Sequence, residues 1–305
     1  MRFEVAHLTR YTYERPVLLE PLIVRLRPRS DIFQRLVAFD LAVDPQPEGM
    51  SEMLDAEGNT LSQVWFLGLA SMLTLRTTFA IETLRTNPFD YIVLDPEGLR
   101  MPMTYREADR RALAHYLQPP DDPEVQAFAK DVLVASGGGA TSFLGELCQR
   151  IASMAQEVRP TGDPMPAGQT LALRRGACRD MAVLFIEACR AVGVAARFVT
   201  GYEMGDPGSN ERDLHAWGEV YLNGAGWRGY DPSQGLAVAD RHVTVAAAAD
   251  PAEAAPTLGS YRGTNVASTM DTMITVKVPT YAENAYERSG SFPAVRLVGV
   301  PPHAG

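Results

Sequence analysis

The chain has 305 residues, of which 46% are hydrophobic and 21% charged, so we expect a folded globular protein of about two domains. Its 28 Lys and Arg against 37 Asp and Glu give a net charge of −9, which argues against nucleic acid or an anionic membrane as a partner. No secretory signal and no membrane-spanning apolar run is visible, so a cytoplasmic location is the default expectation.

The first region, residues 1–104, shows the two-residue alternation of β-strands. Apolar and polar residues alternate in FEVAHLTRYTY, and β-branched or aromatic runs follow in LIVRLRP, RLVAFDLAV and SMLTLRTTFAIETL. Turn sequences such as DAEGN separate these runs. The pattern predicts an N-terminal antiparallel β-sandwich. No cluster of His, Cys or acidic residues stands out in it, so we expect the region to serve packing or a partner surface.

A second region, residues 105–245, begins with a helical pattern. The segments READRRALAHYL, DPEVQAFAKDVLVA and TSFLGELCQRIASMAQEV carry apolar residues at three- and four-residue spacing. After them, a Pro- and Gly-rich loop over residues 159–169 leads to the segment where the reactive residue types concentrate. Residues 246–305 are predicted to form a C-terminal extension with one clear strand, TMITVKVP, and a loosely patterned tail beyond residue 279. The chain as a whole is therefore expected to be α+β.

Cys178 is the candidate nucleophile. It begins a segment with a strong helical period, in which Met181, Phe185 and Cys189 lie on the same helix face as Cys178. At the first turn of a buried helix, unpaired N–H groups and the helix dipole favour a thiolate, and the same N–H groups can donate to an oxyanion. Asp180, in the same turn, is expected to support the helix end rather than to take part in chemistry.

The other two cysteines do not offer an alternative role for Cys178. Along a helix, Cys178 and Cys189 are separated by roughly 16 Å, far beyond the ~7 Å between Cα atoms that a disulfide allows. Cys148 lies on another predicted helix, so Cys148 and Cys189 are expected to be small buried apolar residues. There is no Cys/His ligand cluster and no calcium-loop spacing, and we expect neither a metal nor another cofactor.

A base and its orienting residue are predicted on a β-hairpin. His215 begins the strand-like run HAWGEVYL, and Asp231 ends the second strand, in WRGYDPS, after the turn NGAG. If all four turn residues formed the loop, Asp231 would face Gly218, on the opposite side of the sheet from His215. A three-residue loop or a bulge instead places Asp231 opposite Trp217, as a same-face diagonal neighbour of His215. We predict this second register. The other histidines, His7, His115, His242 and His303, are expected to be ordinary surface or half-buried residues.

The segments GACRDMAVLFIEACRAVGVAARFVTGYE and LHAWGEVYLNGAGWRGYDPSQG resemble the core of bacterial transglutaminase-like proteins, a branch of the papain-like cysteine enzymes. The resemblance covers roughly residues 160–240, and the family's Cys, His and Asp positions correspond to Cys178, His215 and Asp231. HLTRYTYERPV also resembles the β region that precedes this core in bacteria, and DPAEAAPTLGSYRG its C-terminal extension. One departure is an Ala-rich stretch before DPAEAAP, where relatives tend to have a Gly-Arg pair.

The resemblance implies helices packed on an antiparallel sheet and amide chemistry through a thioester on Cys178, with a peptide or protein as substrate. Hydrolysis of a peptide or isopeptide bond, acyl transfer from glutamine to an amine, and a catalytically silent interaction scaffold all remain open. Trp217 and Trp227 are candidates for shaping the acyl channel, although core packing explains such aromatic residues equally well. Gln169 and Tyr202 are candidates, by residue type alone, for the second oxyanion donor.

Overall fold

The computed structural model describes residues 1–93, 96–159, 161–205 and 211–279, so the predicted tail beyond residue 279 lies outside the described residues. The first region consists of strands only: β1 (Arg2–Leu19), β2 (Leu22–Val24), β3 (Gln34–Asp44), β4 (Gly49–Leu54), β5 (Thr60–Trp65) and β6 (Leu69–Thr83). Every second residue of β1 from Phe3 to Thr9 is buried, as the alternating sequence predicts.

The middle region mixes helices and strands. In chain order it contains α1 (Glu107–Ala112), α2 (Pro123–Ala135), α3 (Ala140–Ala152), β7 (Ala155–Gln156), α4 (Ala167–Leu173), β8 (Arg175–Gly176), α5 (Cys178–Ala191), β9 (Ala196–Glu203), β10 (Glu211–Arg212), β11 (His215–Leu222), β12 (Gly226–Asp231), β13 (Leu236–Ala237) and β14 (His242–Ala248). The third predicted helix ends earlier than its sequence pattern suggests, because β7 pairs with β8. The short helix α4 follows a loop that the sequence analysis extended too far.

The last strands are β15 (Thr257–Leu258), β16 (Tyr261–Arg262) and β17 (Ser268–Lys277), and short 3-10 helices occur at Pro96–Leu99, Ala114–Leu117 and Pro251–Ala254. All three strands return to the N-terminal region. β17 pairs antiparallel with β1 from Glu4 opposite Lys277 to Tyr13 opposite Ser268. The described part of the C-terminal extension therefore adds strands to both N-terminal sheets.

Two antiparallel sheets form the predicted N-terminal sandwich. One has the strand order β10-β17-β1-β6-β3, with β16 also beside β1, and the other has the order β15-β2-β5-β4. Side chains of both sheets share one apolar core, which includes Val17, Leu26, Val64 and Leu75. Within the described ranges, no helix combines the length and hydropathy that a membrane span requires.

A five-stranded antiparallel sheet, ordered β13-β12-β11-β9-β14, supports the second domain. Helix α5 packs on one face of it, with α2, α3 and α4 around the helix. Gly218 in β11 permits this close approach, because a Cβ there would lie 2.6 Å from Cδ1 of Phe185. Met181, Leu184 and Phe185 of α5 are fully buried against this sheet and the neighbouring helices. The predicted arrangement of helices on an antiparallel sheet is confirmed.

The register of the β11–β12 hairpin is the one that brings His215 and Asp231 to the same face. Tyr221 pairs with Trp227 and Leu222 with Gly226, which leaves a three-residue loop at 223–225. Gly226 has φ 71°, a left-handed conformation that glycine adopts without strain. Because Gly218 pairs with Tyr230, the next position places Trp217 opposite Asp231. The predicted register is confirmed.

Candidate active site

Cys178 is the first residue of α5, and Asp180 holds this end of the helix in place. Oδ2 of Asp180 accepts a hydrogen bond from the backbone N–H of Ala177 at 2.8 Å. Its Oδ1 accepts from the N–H of Met165 at 2.8 Å and from the guanidinium of Arg159 at 2.6 Å. The carboxylate is fully buried. These contacts give Asp180 the structural role expected of it, tying the preceding loop to the helix start.

The three cysteines differ in their surroundings. All are free, but only Cys178 is partly exposed, whereas Cys148 and Cys189 are buried. Burial raises the pKa of the Cys148 thiol to about 12 and raises that of Cys189 well above its ordinary value. A buried thiol that resists ionisation is a poor nucleophile. Cys178 is therefore the cysteine suited to chemistry.

His215 links Cys178 to Asp231. The Nε2 atom of His215 lies 2.6 Å from Oδ2 of Asp231, and the thiol of Cys178 is close enough to the same ring to help raise its pKa. Since Nε2 is engaged by the carboxylate, Nδ1 is the nitrogen left for the sulfur. Helix α5 packs on the Gly218 face of the sheet, and His215 lies on the opposite face at the very start of β11. Because His215 is the first residue of β11, its imidazole lies at the edge of the sheet, where it can approach Cys178 at the N-terminus of α5.

The ionisation of this group follows from its hydrogen bonds. Burial lowers the pKa of His215, but the hydrogen bonds to Asp231 and Cys178 outweigh it and raise that pKa to about 10. For Asp231, burial raises the pKa, while hydrogen bonds from His215 and His242 lower it well below its usual range. At neutral pH the pair is therefore an imidazolium and a carboxylate, and a cationic imidazole is suited to stabilise an anionic sulfur.

The second oxygen of Asp231 is held by its own loop. Oδ1 accepts from the backbone N–H of Ser233 at 3.0 Å, from the Ser233 hydroxyl at 2.7 Å and from the N–H of Gln234 at 3.2 Å. The carboxylate is fully buried. Donors on a buried carboxylate offset the cost of removing it from water and fix its orientation. The sequence DPSQ therefore supplies both the acid and the groups that hold it.

The expectation that His242 is an ordinary residue is wrong. His242 is 3% exposed, and its Nε2 lies 3.0 Å from the same Oδ2 of Asp231 that accepts from His215. The expectation also fails for His7, which is buried and hydrogen-bonded to Tyr202. His242 begins the alternating run HVTVA, and this pattern predicts a strand. The contact between His242 and Asp231, in contrast, depends on the order of the strands in the sheet. β14 lies beside β9, which separates it from β11.

The four predicted channel residues have different locations. Trp217 is fully buried, with its ring 6.2 Å from that of His215, so it packs under the site rather than over it. Trp227 lies four positions along β12 from Asp231 and packs edge-to-face against Tyr221. Tyr202 is fully buried, and the structure does not bring it to the site because its hydroxyl contacts His7. Gln169 is exposed on α4, which packs against α5.

Among the described residues, one group of side chains could bring metal-ligating atoms together: His215, Asp231 and His242, whose ligand atoms lie within 4.8 Å of one another. The hydrogen bonds argue for a different use. Both imidazole Nε2 atoms already contact Oδ2 of Asp231, at 2.6 and 3.0 Å, which is hydrogen-bonding distance. A metal would have to displace both N–H hydrogens, and ligation of Nε2 would break the bond between His215 and Asp231. The arrangement fits a proton-bearing network better than a metal site.

Comparison with known proteins agrees with this geometry. Residues 136–232 match the model of the transglutaminase-like superfamily, and residues 3–82 match the bacterial transglutaminase-like N-terminal region. Residues 136–232 are therefore similar to a transglutaminase-like core. Cys178, His215 and Asp231 all lie within the matched core region.

Several proteins match this chain over most of its length. Uncharacterized proteins of Mycobacterium bovis and Mycobacterium tuberculosis are 26% identical over 290 residues, which is 90% of this chain and 92% of theirs. A Mycobacterium leprae protein is 24% identical over 279 residues, 86% of this chain and 94% of its own. The crystal structure of a candidate cysteine protease from Cytophaga hutchinsonii superposes with a TM-score of 0.69 at 22% identity, covering 92% of both chains. This last likeness establishes the shared fold.

Proposed function

We propose that the protein is a cysteine-dependent enzyme that cleaves a peptide or isopeptide bond through a thioester on Cys178. The observation that carries the proposal is the position of His215: its Nε2 lies 2.6 Å from Oδ2 of Asp231, and the thiol of Cys178 is close enough to help raise the pKa of the ring. Cys178 is also the partly exposed cysteine of the three, which favours an enzyme over the catalytically silent scaffold that the sequence left open.

The reaction follows from the positions of these groups. The sulfur of Cys178 attacks the carbonyl carbon of the amide, and the carbonyl oxygen gains the negative charge near the start of α5. The N–H groups of Cys178 and Arg179 lie in the first helical turn, where a helix offers no internal acceptors, and are suited to receive that oxyanion. His215 gives its proton to the departing amine as the C–N bond breaks, leaving a thioester.

The second half of the reaction returns the enzyme to its starting state. Water attacks the thioester carbon, His215 accepts the proton of that water, and the carboxylic acid leaves as the C–S bond breaks. Asp231 remains ionised throughout and holds the imidazole in one orientation. No nucleotide, metal or other cofactor is required for these steps.

Hydrolysis is preferred to acyl transfer because the site is partly open to solvent among the described residues. The side chain of His215 is 16% exposed, and Cys178 is also partly exposed. A transferase must keep water from the thioester until an amine arrives. The aromatic side chain next to His215, that of Trp217, is fully buried beneath the ring and does not cover it. Transfer to an amine acceptor is the alternative outcome of the experiment below.

We further propose that the substrate is a peptide or protein and that the enzyme works in a reducing compartment such as the cytoplasm. All three cysteines are free, and a nucleophilic thiol must remain reduced to act. Neither a nucleic acid nor a membrane is proposed as a partner, in keeping with the net charge of −9.

The test is to trap the thioester. The purified protein is mixed with peptides from a proteolysed cell extract, quenched in acid, digested and searched by mass spectrometry for acyl adducts on Cys178. We expect adducts on Cys178, none in Cys178→Ala, and an unchanged pattern in Cys189→Ala, which removes a buried thiol as the matched control. Adding a primary amine distinguishes hydrolysis from transfer, because a transferase would release amine-linked products. Absence of any adduct, together with slow iodoacetamide labelling of Cys178 at pH 6, would support a silent scaffold.

A further inference from the structure

His242 shares a single carboxylate oxygen with His215. It is the first residue of β14, and its side chain is 1% exposed. Its Nε2 lies 3.0 Å from Oδ2 of Asp231, the atom that also accepts from Nε2 of His215 at 2.6 Å. Sequence motifs place His215 and Asp231 in the mechanism, but they assign nothing to this second imidazole.

The hydrogen bonds define which nitrogen of His242 carries the hydrogen. Asp231 is ionised, so its Oδ2 can only accept, and Nε2 of His242 must donate. The other nitrogen, Nδ1, is buried and has no hydrogen-bond partner among the described residues. The ring packs edge-to-face on Trp217, with centroids 5.2 Å apart. A hydrogen on Nδ1 would be a buried donor without an acceptor, which favours the Nε2–H tautomer.

Orientation of Asp231 does not depend on His242. The loop that follows Asp231 already holds Oδ1 through two N–H groups and the Ser233 hydroxyl. The charged groups next to His242 in the sheet are neutralised elsewhere: Glu203, its cross-strand neighbour, pairs with Arg241 at 3.3 Å. Among the described residues, the imidazole of His242 faces two titratable groups: Asp231, at 3.0 Å, and the ring of His215, with centroids 5.9 Å apart. His242 therefore adds a second hydrogen-bond donor to Oδ2 of Asp231, the oxygen that binds the imidazole of His215.

We propose that His242 is a positioning residue that adjusts the proton affinity of His215 by drawing charge from the shared oxygen of Asp231. A carboxylate oxygen with two donors is a weaker base than one with a single donor, so it holds the His215 proton less tightly. His215 can then pass that proton to the departing amine more readily. This consequence rests on the proposed function, whereas the effect on proton affinity does not.

The experiment measures the titration of His215 directly. Proteins labelled with ¹⁵N-histidine are titrated by NMR in a Cys178→Ala background, where Asp231 is the remaining group that raises the pKa of His215. His242→Leu removes the donor and should move the His215 midpoint upward by about one pH unit, the value of one hydrogen bond to a charged group. His242→Gln, whose amide nitrogen reaches the position of Nε2, should restore the wild-type midpoint. His242→Asn places its amide near Nδ1 and should behave like the Leu variant.

With Cys178 intact, the same substitutions give a second readout. In His242→Leu we expect iodoacetamide labelling of Cys178 at pH 6 to be preserved, while amide turnover falls and the alkaline limb of its pH profile moves to higher pH. A merely structural role would lower labelling and turnover together and would leave the midpoint of His215 in place.

Two results would overturn the inference: a His215 midpoint that stays or falls in His242→Leu, or equal midpoints in the Gln and Asn variants. The Gln–Asn comparison decides the matter even if the Leu variant does not fold. Failure of the proposed function is separate, since it would appear as an absence of thioester on Cys178 while the midpoints still shifted.

Discussion

Two buried histidines, one in the N-terminal β region and one in the helix-containing core, have pKa values shifted in opposite directions. His7 in β1 has hydroxyl neighbours, with Nδ1 2.8 Å from the Tyr202 oxygen and Nε2 3.0 Å from that of Thr9, and burial lowers its pKa to about 4. His215 is also largely buried, yet its hydrogen bonds to Asp231 and Cys178 outweigh burial and raise its pKa to about 10. A neutral hydroxyl does not compensate a buried cation, whereas a carboxylate does. Burial alone therefore does not reveal which histidine can move protons at neutral pH.

Removing each imidazole should separate the two roles most strongly. His215→Ala deletes the proposed acid and base, and we expect amide turnover to fall toward the upper end of the 10²–10⁴-fold range typical of such groups. His7→Gln keeps hydrogen-bonding groups between Tyr202 and Thr9 and should leave turnover close to wild type. Turnover of a peptide found by thioester trapping measures both effects. Equal losses in the two variants would mean that the difference in pKa has no functional meaning.

Asp231→Asn tests whether the carboxylate is what makes His215 different. The amide has nearly the same shape but no charge, so the pKa of His215 should fall toward its ordinary value. We expect turnover to decrease toward the lower end of the same 10²–10⁴-fold range, with slower iodoacetamide labelling of Cys178 at pH 6. The measurement is the labelling rate from pH 5 to pH 9. A labelling profile like that of the wild type would show that Asp231 is not the source of the effect.

Stability should also depend on pH with opposite signs for the two histidines. The pKa of His7 is lower in the folded state than in the unfolded state. Its contribution to the free energy of unfolding is therefore complete above about pH 6.5, and roughly 3 kcal/mol of it is lost as the pH falls toward 4. The pKa of His215 is higher in the folded state, so its contribution to the free energy of unfolding is complete below about pH 6.5 and is lost as the pH rises toward 10.

Urea unfolding midpoints between pH 4.5 and pH 9.5 measure these slopes. His7→Gln should flatten the acid side of the curve, and His215→Ala should flatten the alkaline side. If His7→Gln instead changed only the alkaline side, the assignment of the two groups would have to be exchanged.

Much of this arrangement could be predicted from the sequence because it is local. The helical period after Cys178 predicted α5, and the turn NGAG, with the need to place His215 and Asp231 on one face, predicted the three-residue loop that the pairing of Leu222 with Gly226 confirms. Both features depend on residues close together in the chain. The role of Asp180 at the helix start was predictable for the same reason.

Other features arise only from tertiary pairing. The contact between His242 and Asp231 requires β14 to lie next to β9, and no local pattern specifies that neighbour. The return of β17 to β1 likewise joins residues more than 250 positions apart. Tyr202 was chosen by residue type, but its buried hydroxyl contacts His7. Periodicity gives the face of a strand, but it does not give the partner that lies there.

The smallest expected effect concerns the loop that holds Asp231. Ser233→Ala removes the hydroxyl that donates to Oδ1 at 2.7 Å but keeps the N–H bonds of Ser233 and Gln234. One hydrogen bond of about 1 kcal/mol corresponds to roughly a fivefold change in turnover.

Ser153→Ala is the matched control, since its hydroxyl donates only to the carbonyl of Arg150 at the end of α3. A fivefold loss in Ser233→Ala alone, with unchanged urea midpoints, would show that the orientation of Asp231 limits turnover. Equal turnover in both variants would show that the two N–H groups suffice to hold the carboxylate.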